Sequence, residues 1–181
     1  MMIVFNKPYG VLCQFTDSEA PKRPTLAGFG LPAEVYPAGR LDHDSEGLLL
    51  LSNDGARIAQ ISSPKFKWPK TYLIQVEGIA SDEQLQALAA GMTLKDGPTL
   101  PAKARNLQVI PDWLWPRTPP IRSRKTVPDS FVELTIREGR NRQVRRMSAA
   151  VGLPTLRLIR IAIGPYRLDG LAPGQWREES M

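Results

Sequence analysis

Cysteine and histidine are nearly missing from this sequence, which contains one of each among 181 residues. A single cysteine, Cys13, cannot form a disulfide within the chain. Zinc sites in proteins are built mainly from several cysteine and histidine ligands, and Cys13 and His43 are too few to form one. We therefore expect no internal disulfide and no metal centre built on these residues.

Long apolar stretches are also missing. No run approaches the roughly 20 apolar residues that cross a bilayer, and residues 1–5 lack the basic start and long apolar stretch of a signal peptide. The composition, with 42% hydrophobic and 23% charged residues, is typical of a globular protein. We expect a monomeric, soluble, cytoplasmic protein without membrane contact, folded as one domain over residues 1–181, with two lobes as the alternative.

Acidic residues are scarce in the second half of the chain. Residues 101–181 contain 15 Lys and Arg against 7 Asp and Glu, whereas residues 1–100 contain 9 against 11. The net charge of +6 therefore comes from the second half. Such an imbalance suits a surface that binds a polyanion and releases its counterions. A solvated basic surface is the alternative that charge alone leaves open.

Short apolar runs alternate with segments rich in Pro and Gly. The runs predict strands near residues 3–5, 48–51, 72–76, 131–136 and 156–163. Helices are predicted at residues 54–62, 81–91 and 141–151, the second opened by a capping box of Ser81 and Gln84. Seven prolines between residues 95 and 128 indicate a small hairpin and a long extended loop. The pattern predicts an α+β fold on a mixed or antiparallel central sheet flanked by helices and loops.

The most informative segment is residues 39–47, which reads GRLDHDSEG and is followed directly by four leucines. Glycines at both ends permit sharp bends, and the buried strand behind anchors the loop. A side chain in between is held at the edge of the core, which suits an aimed carboxylate such as Asp42. A turn whose acids face water is one alternative. The other is the carboxylate pair of a glycosidase, for which Asp44 and Glu46 lie close by.

Residues 39–55 resemble the signature of the bacterial small-subunit type (RsuA-like) family of pseudouridine synthases. Three further segments match the family in order: residues 5–11 (FNKPYGV), 70–72 (KTY) and 138–147 (EGRNRQVRRM). The match spans nearly the whole chain. It implies the pseudouridine synthase fold, with an active-site cleft across the sheet, and an isomerase that converts a uridine of RNA into pseudouridine.

The resemblance implies that Asp42 is the catalytic carboxylate. Forming pseudouridine breaks the N-glycosidic bond, rotates the base and joins its C5 to the same sugar carbon, so we expect no cofactor. The carboxylate can attack C1′ of the sugar, attack C6 of the base, or help to remove the C2′ proton. Each route needs an ionised Asp42, and in a pocket shielded from water an ionised acid requires a cationic partner.

The resemblance also implies that Arg145 is this partner, because the matching basic residue of the family pairs with the catalytic Asp. On a helix whose core face contains Val144, Met147 and Val151, the arginines at 142, 145 and 146 share the opposite flank. A solvated basic helix face is the alternative. The remaining arginines of the segment are expected to bind RNA phosphates: Arg140, Arg142 and Arg146.

Three further residues acquire roles from the matching segments. Tyr72 occupies the position of the family's aromatic residue that lies against the target base and is a candidate for handling the C5 proton, although a strand tyrosine is commonly part of a core. Arg40 is expected to bind a phosphate or to fill the space left by the extruded base, since a uridine in folded RNA must be flipped out. Lys7 is expected to bind RNA.

Residues 112–125 interleave tryptophans with cations. Aromatic faces stack on unpaired bases while cations reach phosphates, a pattern typical of single-stranded RNA binding. We expect a specificity loop here, with a proline-rich loop that only caps the fold as the alternative. Trp113 lies in the same loop, and the expected RNA-binding residues are Trp115, Arg117, Arg122, Arg124 and Lys125.

Many members of the family carry an S4-like RNA-binding module before the first matching segment, and we expect none here. Substrate choice would then come from the catalytic domain itself. Residues 113–122 resemble a large-subunit member of the family, so the expected partner is 23S ribosomal RNA, free or in the assembling large subunit. Two other functions stay open: a synthase acting on another rRNA or tRNA uridine, and a non-catalytic RNA-binding or ribosome-assembly protein on the same scaffold.

Overall fold

The computed structural model describes residues 1–122 and 126–180. Arg124 and Lys125 of the predicted specificity loop lie outside the described residues. The chain divides into two compact units: the first comprises Met1–Trp68 with Arg160–Met181, and the second comprises Pro69–Ile159. No helix in the described part of the chain is long and apolar enough to span a bilayer.

The regular elements follow one another as strands with three α-helices between them. In chain order they are β1 (Met2–Lys7), β2 (Tyr36–Pro37), β3 (Glu46–Ser52), α1 (Gly55–Ser62), β4 (Lys70–Glu77), α2 (Asp82–Ala90), β5 (Thr93–Leu94), β6 (Gly97–Pro98), β7 (Lys103–Leu107), β8 (Asp129–Ile136), α3 (Gln143–Ala150), β9 (Thr155–Ile163), β10 (Tyr166–Arg167) and β11 (Trp176–Glu179). The predicted α+β fold is confirmed.

The first unit is built around two fully buried strands. β1 pairs antiparallel with β3 on one side and with β11 on the other. Every residue of β1 and β3 is buried. A continuous apolar run is what a strand covered on both faces requires, so the prediction from the four leucines is confirmed. Ile3, Phe5, Leu49 and Leu51 lie in one core cluster with Leu41, the residue directly before Asp42.

The second unit packs helices on an antiparallel sheet. β4 pairs with β8, and β8 pairs with β7. In β8, Val132, Leu134 and Ile136 are buried at alternate positions, as expected for a strand with one face on the core. They share a core cluster with Val144 and Met147 of α3.

Side-chain caps define two of the helix starts. Asp54 accepts the amide of Ala56 at 3.0 Å at the start of α1. Ser81 and Gln84 form the predicted capping box of α2, with both reciprocal hydrogen bonds present. Each cap satisfies backbone amides that have no partner within the helix.

Two local predictions were wrong. Arg142 does not lie on the face of α3, because it precedes the helix in a left-handed conformation with φ of 51°. β7 lies within the segment that was expected to be extended loop after the hairpin of β5 and β6. Its exposed Lys103 and Arg105 alternate with small or polar residues, so no apolar signal marked it as a strand.

Candidate active site

Asp42 lies in the first unit, on the loop between β2 and β3. The side chain of Asp42 is half-buried, and Leu41 beside it is anchored in the core. The amide of Ser45 donates to the carbonyl oxygen of Asp42 at 3.0 Å, which closes a tight turn. The carboxylate is therefore carried by a short loop fixed at both its core residue and its turn.

Lys7 is the first of two buried cations that hold this loop. It is fully buried at the end of β1, and its Nζ donates to the carbonyl oxygens of Pro8 at 2.9 Å, Val11 at 2.8 Å and His43 at 3.4 Å. The His43 carbonyl also accepts the Gly10 amide at 2.6 Å. A fully buried ammonium cannot reach an RNA phosphate, so the predicted RNA-binding role of Lys7 gives way to a structural one.

The burial of Lys7 has an electrostatic consequence. Desolvation lowers the pKa of its ammonium to about 8, even though the negative charges of nearby groups act in the opposite direction. The opposing groups are Cys13, Glu46, Asp44 and Asp42. The Lys7 cation thus lies within electrostatic range of the carboxylates of the loop.

Arg160 on β9 is the second buried cation, with 4% of its surface exposed. Its Nε donates to the carbonyl oxygen of Leu48 at 2.8 Å, and its Nη1 to that of Arg40 at 3.3 Å. Arg160 lies outside the sequence motifs that predicted the site. The sequence does contain a signal, because Arg157 and Arg160 are cations within the otherwise largely apolar strand TLRLIRIAI. The side chain of Arg40 itself is exposed, as a role in RNA contact requires.

Tyr72 lies in the second unit, on β4 opposite Leu134 of β8. It is 7% exposed and belongs to the core cluster of that unit. The adjacent Thr71 hydroxyl forms a hydrogen bond with the Thr135 hydroxyl at 2.9 Å, so the start of β4 is fixed by side chains as well as by the strand ladder.

The arginines near α3 have different surroundings. Arg146 makes a bidentate ion pair with Asp96, at 2.7 and 3.1 Å, and this hydrogen bonding lowers the pKa of Asp96. Arg140 lies 3.3 Å from the same carboxylate and donates to the Asp96 and Gly97 carbonyls. Arg145 is half-buried, and Arg142 is exposed. The sequence did not predict a role for Asp96, because a Lys-Asp-Gly hairpin turn is common and carries no functional signal.

The described part of the predicted specificity loop is anchored to its own unit. Trp115 is half-buried, and the Arg157 guanidinium carbon lies 5.8 Å from its ring centroid. Arg117 donates to the carbonyls of Pro119, Pro120 and Leu156. Trp113 is 48% exposed, with its ring centroid 5.9 Å from that of Trp115. Arg122 is exposed. Trp113, rather than Trp115, is the more accessible aromatic face.

Chemically, these residues provide a rigidly held carboxylate, a half-buried guanidinium, a buried phenol and exposed aromatic and basic side chains. No group of three His, Cys, Asp or Glu side chains among the described residues is arranged to hold a metal ion.

Known proteins resemble this chain over almost its whole length. The model of the RNA pseudouridylate synthase family matches residues 1–150. Ribosomal large subunit pseudouridine synthase E of Xanthomonas campestris pv. campestris is 61% identical, over 98% of this chain and 94% of that protein. The protein of the same name from Vibrio vulnificus is 53% identical, over 99% of this chain and 75% of that protein. A crystal structure of a pseudouridylate synthase superposes with a TM-score of 0.80 and 34% identity, covering 99% of this chain and 70% of that one.

The chain therefore belongs to the RNA pseudouridylate synthase family, whose members are isomerases. Within that family it resembles the proteins named ribosomal large subunit pseudouridine synthase E, at 50–63% identity. The family resemblance and the fold predicted from the sequence motifs are confirmed.

The lowered pKa of Lys7 leads to a prediction about stability. The folded state releases the Lys7 proton near pH 8, whereas the unfolded chain holds it until about 10.5. The unfolded state thus binds more protons in this window, and the free energy of unfolding gains from Lys7 as the pH rises from 8 to 10.5. The unfolding free energy of wild type minus that of Lys7→Met should rise over this range, by up to a few kcal/mol. Urea titrations of both proteins at pH 7, 8, 9 and 10 measure this difference in unfolding free energy. A difference that stays flat or falls with pH would contradict the burial of a desolvated Lys7 ammonium.

Proposed function

We propose that this enzyme isomerises a uridine of 23S ribosomal RNA to pseudouridine, with Asp42 as the catalytic carboxylate and without a cofactor. The observation that carries the proposal is the way the Asp42 loop is held, with Leu41 in the core and the His43 carbonyl bound by Lys7 and Gly10. The names of the relatives that are 50–63% identical support the large-subunit substrate.

The main chemical requirement of the proposed reaction is one carboxylate held in a fixed position. Atoms balance overall: the N1–C1′ bond breaks, the C5–C1′ bond forms, C5 loses its proton, and N1 gains a proton, either from C5 or from solvent. Whether Asp42 attacks C1′ or C6 or assists removal of the C2′ proton, it acts as an anion. Lys7 contributes positive charge beneath the loop, and we propose that Arg145 supplies the cation that the reacting carboxylate requires.

Tyr72 and the basic side chains complete the proposal. The Tyr72 phenol belongs to the motif that contacts the target base in the family, and we assign it to the base and its C5 proton. Exposed Arg40 and Arg142 are suited to phosphates. Arg140 and Arg146 would bind phosphate in competition with Asp96, which neutralises part of their charge.

The specificity loop, residues 112–125, is our candidate for RNA recognition. The loop is held by the contact between Trp115 and Arg157 and by the hydrogen bonds of Arg117 to three carbonyl oxygens. The exposed ring of Trp113 and the exposed side chain of Arg122 are then left to contact RNA. An unpaired base can stack on such a ring without sequence-specific hydrogen bonds. A pre-fixed loop also loses less conformational entropy when it binds.

Replacing Asp42 by Asn tests the catalytic role. The amide is nearly isosteric but can act neither as nucleophile nor as base, so turnover should fall by about 10³-fold or more while RNA affinity stays within a few-fold. Release of tritium from C5-labelled uridine in rRNA measures turnover. The matched control is Asp44→Asn, in the same loop, which should keep most of the activity. Turnover by purified Asp42→Asn protein would remove Asp42 from the role.

Replacing Arg145 by Ala tests the proposed cation. An ionised Asp42 without its cation is disfavoured, so turnover at saturating RNA should fall by roughly 10²-fold with little change in RNA affinity. Arg146→Ala, one position further on, removes the partner of Asp96 instead and should lower stability or RNA affinity while saturating turnover persists. The opposite pattern in these two variants would transfer the role to Arg146.

Trp113→Ala and Trp115→Ala separate stacking on RNA from anchoring of the loop. Loss of a stacked ring costs about 1–3 kcal/mol of binding, which Trp113→Ala should show with an unchanged thermal midpoint. Trp115→Ala should lower the thermal midpoint as well, because it removes the contact with Arg157. Arg122→Ala should reduce the salt dependence of binding by roughly one counterion. Wild-type affinity and salt dependence in folded Trp113→Ala and Arg122→Ala proteins would place RNA recognition elsewhere.

A further inference from the structure

Arg160 is a buried guanidinium whose hydrogen bonds within the described part of the chain are to the backbone. Among the described residues both of its hydrogen bonds go to carbonyl oxygens, those of Leu48 and Arg40, and its buried Nη2 has no hydrogen-bond partner. Removing a cation from water is costly unless good partners replace the water, and an apolar side chain of similar volume is often at least as stabilising. Packing alone therefore gives no reason for an arginine at this position.

The location of the two carbonyls supplies the reason. Arg40 and Leu48 flank the loop that carries Asp42, and the guanidinium bridges the backbone at its two ends. A guanidinium is planar and rigid, so it fixes the two carbonyls relative to each other, which a single-point ammonium cannot do. Lys7 holds the His43 carbonyl between them.

We propose that Arg160 is a positioning residue for the reaction, which fixes the backbone of residues 40–48 and thereby the place of the Asp42 carboxylate. The inference rests on the proposed catalytic role of Asp42. Arg160 touches neither substrate nor the reacting atoms in this role. A displacement of a reacting group by about 1 Å can cost roughly 10²-fold in rate, so the loss of the bridge should be felt in the chemical step.

The test uses three variants of the full-length enzyme: Arg160→Met, Arg160→Lys and Arg177→Met. Arg177 is the matched control, because in the same unit it also donates to carbonyls, those of Leu168 at 2.8 Å and Arg167 at 2.6 Å, which are remote in sequence from the Asp42 loop. The measurements are single-turnover tritium release at saturating rRNA, RNA affinity and the thermal midpoint.

We expect Arg160→Met to lower the single-turnover rate by roughly 10–100-fold, with RNA affinity within about threefold of wild type. Arg160→Lys should restore part of the rate, because it can reach one carbonyl. Arg177→Met should keep the wild-type rate even if its thermal midpoint falls. Should Arg160→Met fail to fold, hydrogen exchange in Arg160→Lys decides: the Ser45 amide, which donates to Asp42, should exchange faster than in wild type.

A wild-type rate in folded Arg160→Met would overturn the inference, and so would wild-type Ser45 exchange and rate in Arg160→Lys. An equal loss of rate in Arg177→Met would also overturn it, because any lost guanidinium would then suffice. Asp42→Asn measured alongside separates the two proposals. Activity in that variant defeats the catalytic assignment itself, whereas an inactive Asp42→Asn beside a normal Arg160→Met defeats only the positioning role.

Discussion

Hydrogen bonds from buried cations to the carbonyl oxygens of residues 40–48 are the interaction on which the site of the first unit depends. A tight loop cannot pair all of its carbonyls with a neighbouring strand, and buried carbonyls without donors are costly. Lys7 and Arg160 supply donors from two different strands, β1 and β9. The loop is thereby fixed by protein donors, and two positive charges lie next to a segment that contains Asp42, Asp44 and Glu46.

This arrangement has a cost, visible in the pKa of Lys7, which burial lowers to about 8. A residue selected for stability alone would be apolar at such a place. We interpret Lys7 and Arg160 as residues that fix the loop backbone at some cost in folding stability. The second unit uses charge differently. There the exposed carboxylate of Asp96 pairs with Arg140 and Arg146 near the start of α3, and Arg117 ties the specificity loop to the carbonyl oxygen of Leu156.

The sequence was sufficient for most of the fold, because apolar runs and caps act locally. The four leucines of β3 and the Ser81–Gln84 capping box could be read directly, as their structural effect depends on neighbours in sequence. β7 was missed because its inward positions are small or polar. The motifs identified the loop of Asp42, but the roles of Lys7 and Arg160 depend on partners distant in sequence. The local sequence around Lys7 and Arg160 does not indicate which carbonyl oxygens these side chains bind.

The most direct test of the central claim is a map of pseudouridine in the RNA of a strain that lacks this protein, complemented with wild type or with Asp42→Asn. The account predicts that one pseudouridine of 23S rRNA disappears, that wild-type protein restores it, and that Asp42→Asn does not. An unchanged 23S map, a loss confined to tRNA or small-subunit rRNA, or restoration by Asp42→Asn would contradict it.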